Sequence, residues 1–360
     1  MSMKKKIISV VGARPQFIKL APLSKAIRKE FDEIIIHTGQ HYDAGMSGNI
    51  FKELGIPNPD YNLGIGSDTP CRQIARMLIE MEDIFLKEKP DCVIVFGDTN
   101  STAAASIAAI KTKSKLAHIE AGLREFNKYI PEESNKLITD ILSDFYFCPT
   151  PKAIDILKSM GITQHVYNVG DVMIDIIEQN IPEIEANQYS IFEKYGIKKK
   201  EFIFMTCHRA SNTDDVGNLR NILEAIQNFK EMVIFPIHPR TLKVVKENGM
   251  ENLINQPNII LTEPLGYIDS QTLIRFAKFV YTDSGGITKE AYFHHTPGIL
   301  TDTQTEWVET VQEGWNQQAG PLKHNIIEAY HNIKIPTLNS NCLGDGIASE
   351  KITAILKQYL

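Results

Sequence analysis

The chain is predicted to be an α/β protein of two doubly wound Rossmann-like domains facing across a cleft, and three observations predict it. Short β-branched apolar runs alternate with helical segments along most of the 360 residues, the pattern of a parallel sheet. Residues 180–200 mix Pro, Glu, Asn and Lys without a sustained period, close on Lys198-Lys199-Lys200, and are followed by the same alternation over again. Several predicted strands also end on Gly, Asp, Glu or His followed by turn residues, and the carboxyl edge of an open parallel sheet is where ligands bind. At roughly 150 residues per domain the length suits two domains, each with its own core. The boundaries read as 1–175, 176–340, and a last helix in 341–360 packing back on the first domain.

In chain order, residues 6–11 form a strand, Gly12-Ala13-Arg14-Pro15-Gln16 a turn, and Phe17, Ile18, Leu20, Leu23 and Ile27 the apolar side of a helix. Pro15 suits a first helical turn. Backbone N–H groups, Arg14 and Lys19 thus gather at a helix N-terminus, which suits an anion, although a plain strand-to-helix turn reads the same way. The loop lacks GxGxxG, which argues against a dinucleotide cofactor. A strand at 33–37, a helix towards Leu54, a Gly/Pro/Asn/Asp-rich loop at 55–68 and a helix at 71–87 follow.

The central stretch comes next: strand 92–96, an alanine-rich helix over 99–112, strand 116–119. A right-handed crossover makes the two strands parallel neighbours, so Asp98 and Glu120 sit at adjoining strand ends. Asp98 in Gly97-Asp98-Thr99 reads equally well as a helix N-cap. Glu120, between Ile119 and Ala121-Gly122, places a charge beside buried strand, which is costly unless it is paired or functional. Pro131-Glu132-Glu133 opens a helix to about Ser143, and favourable first-turn charge could account for one of its two acids. Strand 145–148, a helix from Pro149-Thr150-Pro151 to Gly161, strand 166–169 and a helix at 172–179 complete the first half. Lys198-Lys199-Lys200 reads as a solvated turn.

The second half gives strands at 202–206, 232–237, 259–261 and 279–282, with helices at 216–229, 242–247 and 270–277. The first strand ends in Cys207-His208-Arg209, a histidine beside an arginine that suits a phosphate, though a lone His is more often structural. Thr282-Asp283-Ser284-Gly285-Gly286 stops a strand and opens a helix whose free N–H groups can meet a ligand. Glu290, read as lying in that helix's first turn, could accept two ribose hydroxyls or simply favour the helix dipole. His238-Pro239-Arg240 ends another strand on the same edge. His294-His295 is a poor metal pair, because adjacent helical residues point apart.

Composition is that of an ordinary globular protein. A formal charge of −6 argues against a nucleic-acid surface. The five cysteines, Cys71, Cys92, Cys148, Cys207 and Cys342, show no CxxC spacing, so no structural zinc and a reducing cytoplasm are expected. No run approaches the ~20 apolar residues of a membrane span.

These motifs, Gly12-Ala13-Arg14-Pro15-Gln16-Phe17-Ile18-Lys19, Gly97-Asp98-Thr99, His118-Ile119-Glu120-Ala121-Gly122-Leu123-Arg124, Pro131-Glu132-Glu133, Cys207-His208-Arg209 and Asp283-Ser284-Gly285-Gly286-Ile287, resemble in order those of the non-hydrolysing UDP-N-acetylglucosamine 2-epimerases. Gly97 to Thr102, residues 126–135 and residues 305–316 look most like the branch acting on UDP-2,3-diacetamido-2,3-dideoxyglucuronate. The resemblance implies a glycosyltransferase-B-like fold, UDP held mainly by the second domain, a homodimer, and surface polysaccharide precursor synthesis; with the acids in one domain and the nucleotide contacts in the other, domain closure on UDP is expected. It implies elimination of UDP to a glycal and re-addition with inversion at carbon 2, without redox cofactor or metal. Asp98, Glu120 and Glu132 match the family's acidic catalytic positions and His208 the histidine near the diphosphate. Arg14, Lys19, Arg209 and the Ser284, Gly285 and Gly286 amides would hold UDP, and Glu290 its ribose. Two departures stand out. Asp302 occupies a usual Arg position, and Gln40-His41-Tyr42-Asp43 differs from the loop of relatives that bind a second UDP-sugar as activator, so that regulation is not expected. The residues by themselves leave open a glycosyltransferase on the same fold or a nucleotide-sugar-binding protein without catalysis.

Overall fold

Thirteen short strands among the described residues fall into two wholly parallel sheets. The computed structural model describes residues 4–40 and 50–360. The first sheet contains β1 (Lys6–Val11), β2 (Asp32–His37), β3 (Tyr61–Asn62), β4 (Cys92–Phe96), β5 (Lys115–Ile119), β6 (Phe145–Cys148) and β7 (Val166–Asn168), in the order β3-β2-β1-β4-β5-β6-β7. The second contains β8 (Phe202–Thr206), β9 (Met232–Pro236), β10 (Ile259–Thr262), β11 (Phe279–Thr282), β12 (Gly298–Leu300) and β13 (Asn316–Gln318), in the order β10-β9-β8-β11-β12-β13. Each sheet therefore reverses its winding once, between β1 and β4 and between β8 and β11. At such a switch point the connecting helices depart to opposite faces and leave a crevice at the strands' carboxyl ends.

The central strands are largely apolar because both their faces are covered. Residues 92–96 are all buried. In the first unit, Ile8, Val10, Val93, Val95 and Leu116 pack against Met77, Met81, Phe85 and the alanines of helix Asn100–Lys111. In the second, Ile203, Met205, Val233 and Phe235 pack with Leu219, Ile222, Phe229 and Tyr330.

Residues up to Glu178 together with Leu343–Leu360 form one unit, and Gln179–Cys342 the other. The segment read as an irregular crossing is helical: Val172–Tyr195 is continuous through Pro182. Ile177, Ile184 and Ile191 are buried at seven-residue spacing along it, so tertiary packing outweighs its polar composition. The chain re-enters the first unit where Asp171 N–H donates to Leu343 O at 2.7 Å. Gly170 and Gly344 both have positive φ, and a Cβ on either would come within 2.9 Å of the other's Cα, so the crossing requires two glycines. The last helix, Ala348–Tyr359, starts on the Asp175 carboxylate, which accepts from the Ala348 and Ser349 amides at 3.0 and 2.6 Å. It packs on helix Arg14–Glu30.

Lys200 is not a solvated turn residue. It is half-buried and donates to Arg275 O and Thr296 Oγ1; burial, with Lys199 and Arg275 adding, lowers its pKa to about 8. Strands β3, β12 and β13 escape the sequence pattern because strands of two or three residues carry no period.

Candidate active site

In the first unit the switch point brings together the ends of β1, β4 and β5. Phe96 and Ile119 are register partners, and Gly97 N–H donates to Ile119 O at 2.9 Å. Asp98 and Glu120 therefore follow adjacent strand ends. Helix Asn100–Lys111 is capped by Thr99, whose hydroxyl accepts from Thr102 N–H, so Asp98 is released from the capping role. Its carboxylate faces the buried ammonium of Lys136 at 3.4 Å, and its own carbonyl accepts from Asn135 Nδ2 at 2.9 Å.

Glu120 has φ +72°, a left-handed conformation uncommon outside glycine that persists only where surroundings impose it. Its Oε2 accepts from the buried Lys19 Nζ. Lys19, expected on UDP, thus lies against Glu120. A Cβ on Gly97 would stand 3.2 Å from Glu120 Oε2 and 3.5 Å from Lys19 Nζ, so the β4 and β5 loops are in close contact here. Arg14 opens its helix and is exposed. The Gly12 and Ala13 amides donate to Gln16 Oε1 at 2.7 and 3.1 Å, so these two N–H groups are not offered to an anion as the turn had suggested.

Glu132 and Glu133 part company. Glu132 is exposed in the first turn of helix Pro131–Leu142. Glu133 is buried and accepts the Glu125 N–H at 2.7 Å. Sequence gives no ground to choose, because neighbours 100° apart on a helix are sorted only by what the helix packs on. Lys136 was also missed: a buried lysine one turn past an acid reads like a surface pair until the fold places it on Asp98.

In the second unit β8 and β11 end side by side, tied by Thr206 Oγ1 and Thr282 Oγ1 at 2.6 Å. Buried Asp283 accepts the backbone N–H groups of His208 at 2.8 Å and Arg209 at 2.9 Å, fixing that loop. The His208 ring is part-exposed beside the His238 ring, centroids 6.0 Å apart. Burial, followed by His208 and Arg240, lowers the His238 pKa. Arg209 Nη1 donates to Asp302 Oδ2 at 2.5 Å. Ser284 caps helix Gly285–Phe293, accepting from Ile287 N–H, and a Cβ on Gly285 would lie 3.5 Å from Arg209 Nη2. Ser284, Gly285, Gly286, His208 and Arg209 are thus neighbours, a histidine and an arginine beside a helix N-terminus. Glu290 is buried in the second turn of that helix, not the first, so N-terminal dipole charge does not account for it. Lys289 Nζ lies over the Trp307 ring, 4.1 Å from its centroid, a contact no spacing in the sequence announces.

His41, Tyr42 and Asp43 lie outside the described residues. Among the described residues no group of three or more His, Cys, Asp or Glu stands where it could hold a metal ion, and no helix is long and apolar enough to cross a membrane.

A family profile described as UDP-N-acetylglucosamine 2-epimerase matches residues 25–357. The chain is 47% identical over 355 residues, 98% of its length and 99% of the relative's, to a UDP-N-acetylglucosamine 2-epimerase homolog of Methanococcus maripaludis. It is 42% identical over 362 residues, 98% of its length and 99% of the relative's, to the UDP-2,3-diacetamido-2,3-dideoxy-D-glucuronate 2-epimerase of Pseudomonas aeruginosa. The crystal structure of the Methanocaldococcus jannaschii UDP-GlcNAc 2-epimerase in complex with UDP-GlcNAc and UDP superposes with a TM-score of 0.90 at 39% identity, over 98% of this chain and 99% of that one. The two-sheet architecture is thus the glycosyltransferase-B-like one.

Proposed function

The chain belongs to the UDP-N-acetylglucosamine 2-epimerase family, and on that premise we propose that it inverts carbon 2 of its UDP-sugar by eliminating UDP and adding it back. The hydrogen on carbon 2 has no neighbouring carbonyl to acidify it. Its removal becomes feasible when the C2–H electron pair forms a C1=C2 bond while the C1–O pair leaves with UDP. A carboxylate takes the proton from one face; a second acid returns one to the other face as UDP re-adds.

Asp98 and Glu120, two acids on adjacent strand ends that each face a buried ammonium, are the observation that carries this reading. A placed acid or base contributes typically about 10²- to 10⁴-fold in rate. Glu132 is the third candidate. In the second unit, His208, Arg209 and the Gly285 and Gly286 amides are assigned to the diphosphate, where charge grows as it departs; the Ser284 N–H is not among them, since it donates to Thr282 Oγ1 at 2.9 Å. Glu290 is assigned to the ribose, and Arg14 to the phosphate side of the first unit. Of the possible substrates, UDP-N-acetylglucosamine and UDP-2,3-diacetamido-2,3-dideoxyglucuronate are the two to compare, since relatives named for each align along the whole chain.

In deuterated water, epimerisation must place deuterium on carbon 2 of the product. Inversion with full retention of the original hydrogen would exclude elimination. A homodimer is proposed as well: helices Pro70–Glu88, Asn100–Lys111 and Pro131–Leu142 pack side by side and leave Ile79, Leu86, Ile138 and Ile141 exposed, apolar surface of the kind that marks an interface. Light scattering on Ile79→Asp/Leu86→Asp should find a monomer.

A further inference from the structure

His118 lies in the middle of a parallel sheet, fully enclosed, with a bond on each side of its ring. Nε2 is 2.8 Å from the Gly97 carbonyl, and Nδ1 is 2.6 Å from Asp140 Oδ1. A carbonyl only accepts, so Nε2 is the nitrogen that donates to Gly97, and Nδ1 faces the Asp140 carboxyl group. The other oxygen of Asp140 accepts from Gly122 N–H at 3.2 Å and Arg124 Nη2 at 2.6 Å. Arg124 Nε faces Glu133 Oε1 at 3.9 Å. Burial alone would raise the Asp140 carboxyl, but His118 and Arg124 outweigh it and hold it below the ordinary range.

The members of this network touch all three acid-bearing segments. The Gly97 carbonyl immediately precedes Asp98. Gly122 N–H closes the turn that Glu120 opens in a left-handed conformation. Asp140 and Glu133 ride on the helix whose first turn carries Glu132. Buried charges are poor suppliers of net stability, since well-packed apolar groups often do as well. What such a network does supply is a fixed geometry, and the left-handed Glu120 needs one.

We propose that Asp140 and His118 are positioning residues for proton transfer, holding Asp98, Glu120 and Glu132 in mutual register without themselves exchanging a proton with substrate. The inference rests on the elimination reading above.

The test uses Asp140→Asn and His118→Gln in the full chain, with Asp144→Asn as comparison. Asp144 accepts the Leu116 N–H at 2.8 Å at the opposite end of the same strand, so it serves the fold without reaching the acids. A misplacement of about 1 Å costs on the order of 100-fold. Asp140→Asn and His118→Gln should therefore lower kcat about 100-fold, with KM for UDP-N-acetylglucosamine and UDP affinity within about threefold. They should also change the ratio of carbon-2 deuterium exchange in recovered substrate to inversion in product, because removal and return of the proton depend on different acids. Asp144→Asn should lower the melting temperature and leave kcat and that ratio alone. His118→Gln keeps a donor for Gly97 and carries the test if Asp140→Asn does not fold. A folded Asp140→Asn or His118→Gln with wild-type kcat and ratio overturns the proposal, as does Asp144→Asn matching their kcat loss. Absence of carbon-2 exchange in the wild type would instead sink the elimination route.

Discussion

Asp302 takes the Arg209 guanidinium at 2.5 Å, in the loop that also presents His208. An arginine engaged by a carboxylate offers a diphosphate less positive charge than a free one. Asp302→Asn keeps the acceptor and removes the opposing charge, so isothermal titration should find UDP bound several-fold more tightly. Weaker binding would mean that the acid chiefly orients Arg209.

Asp98→Asn and Glu120→Gln should each reduce kcat by roughly 10²- to 10⁴-fold while UDP affinity stays near wild type, because UDP is assigned to the other unit. Loss of UDP binding with either would place these acids on the nucleotide. Nuclear magnetic resonance of the UDP-sugar pool reads both the rate and the deuterium.

Gly97 has φ +59° and stands against Glu120 Oε2. Gly97→Ala should destabilise by about 1–2 kcal/mol, the cost of a side chain in the left-handed region, and push Glu120 off its place. Chemical denaturation and kcat together check this; an active, fully stable variant contradicts the packing described.

Glu132 and Glu133 predict opposite phenotypes. Glu132→Gln should cut kcat at nearly unchanged stability, as exposed sites usually allow. Glu133→Gln should cost about 1–3 kcal/mol by weakening its buried hydrogen bond to the Glu125 amide and removing its charge beside Arg124. Melting curves beside assays separate the two.

Burial raises the Asp175 carboxyl to about 6, outweighing the Ser349 and Ala348 donors. The folded chain thus binds this proton more tightly than the unfolded chain. Its contribution to stability is full below about pH 4, falls as pH rises towards about 6, and is flat above; the span is ~3 kcal/mol at most. Asp175→Asn should abolish that slope in urea titrations between pH 4 and 6. An unchanged slope would assign it to other groups.

Much of this molecule is legible in local pattern. The central strands announce themselves because both faces are covered, leaving unbroken apolar runs such as 92–96. Asp98, Glu120, His208 and Ser284 stand out because each interrupts such a run at its end. The pattern fails where packing decides. Helix Val172–Tyr195 is polar enough to look like a linker, yet three isoleucines seven apart seat it. Glu290 moves to a second helical turn because that helix begins at Gly285. The Gly12 and Ala13 amides go to Gln16.

The sequence by itself determined the two parallel sheets and the strand ends at which acids and cations collect, because periodicity and turn chemistry act between residues close in the chain. Only the tertiary structure decided that Lys19 answers Glu120, Lys136 answers Asp98, Asp302 engages Arg209, and Asp140 joins His118 to Gly122 and Arg124. Those partners lie 16 to 101 positions apart, and a buried charge finds its counterpart through the fold, where low dielectric makes pairing strong, rather than through spacing along the chain.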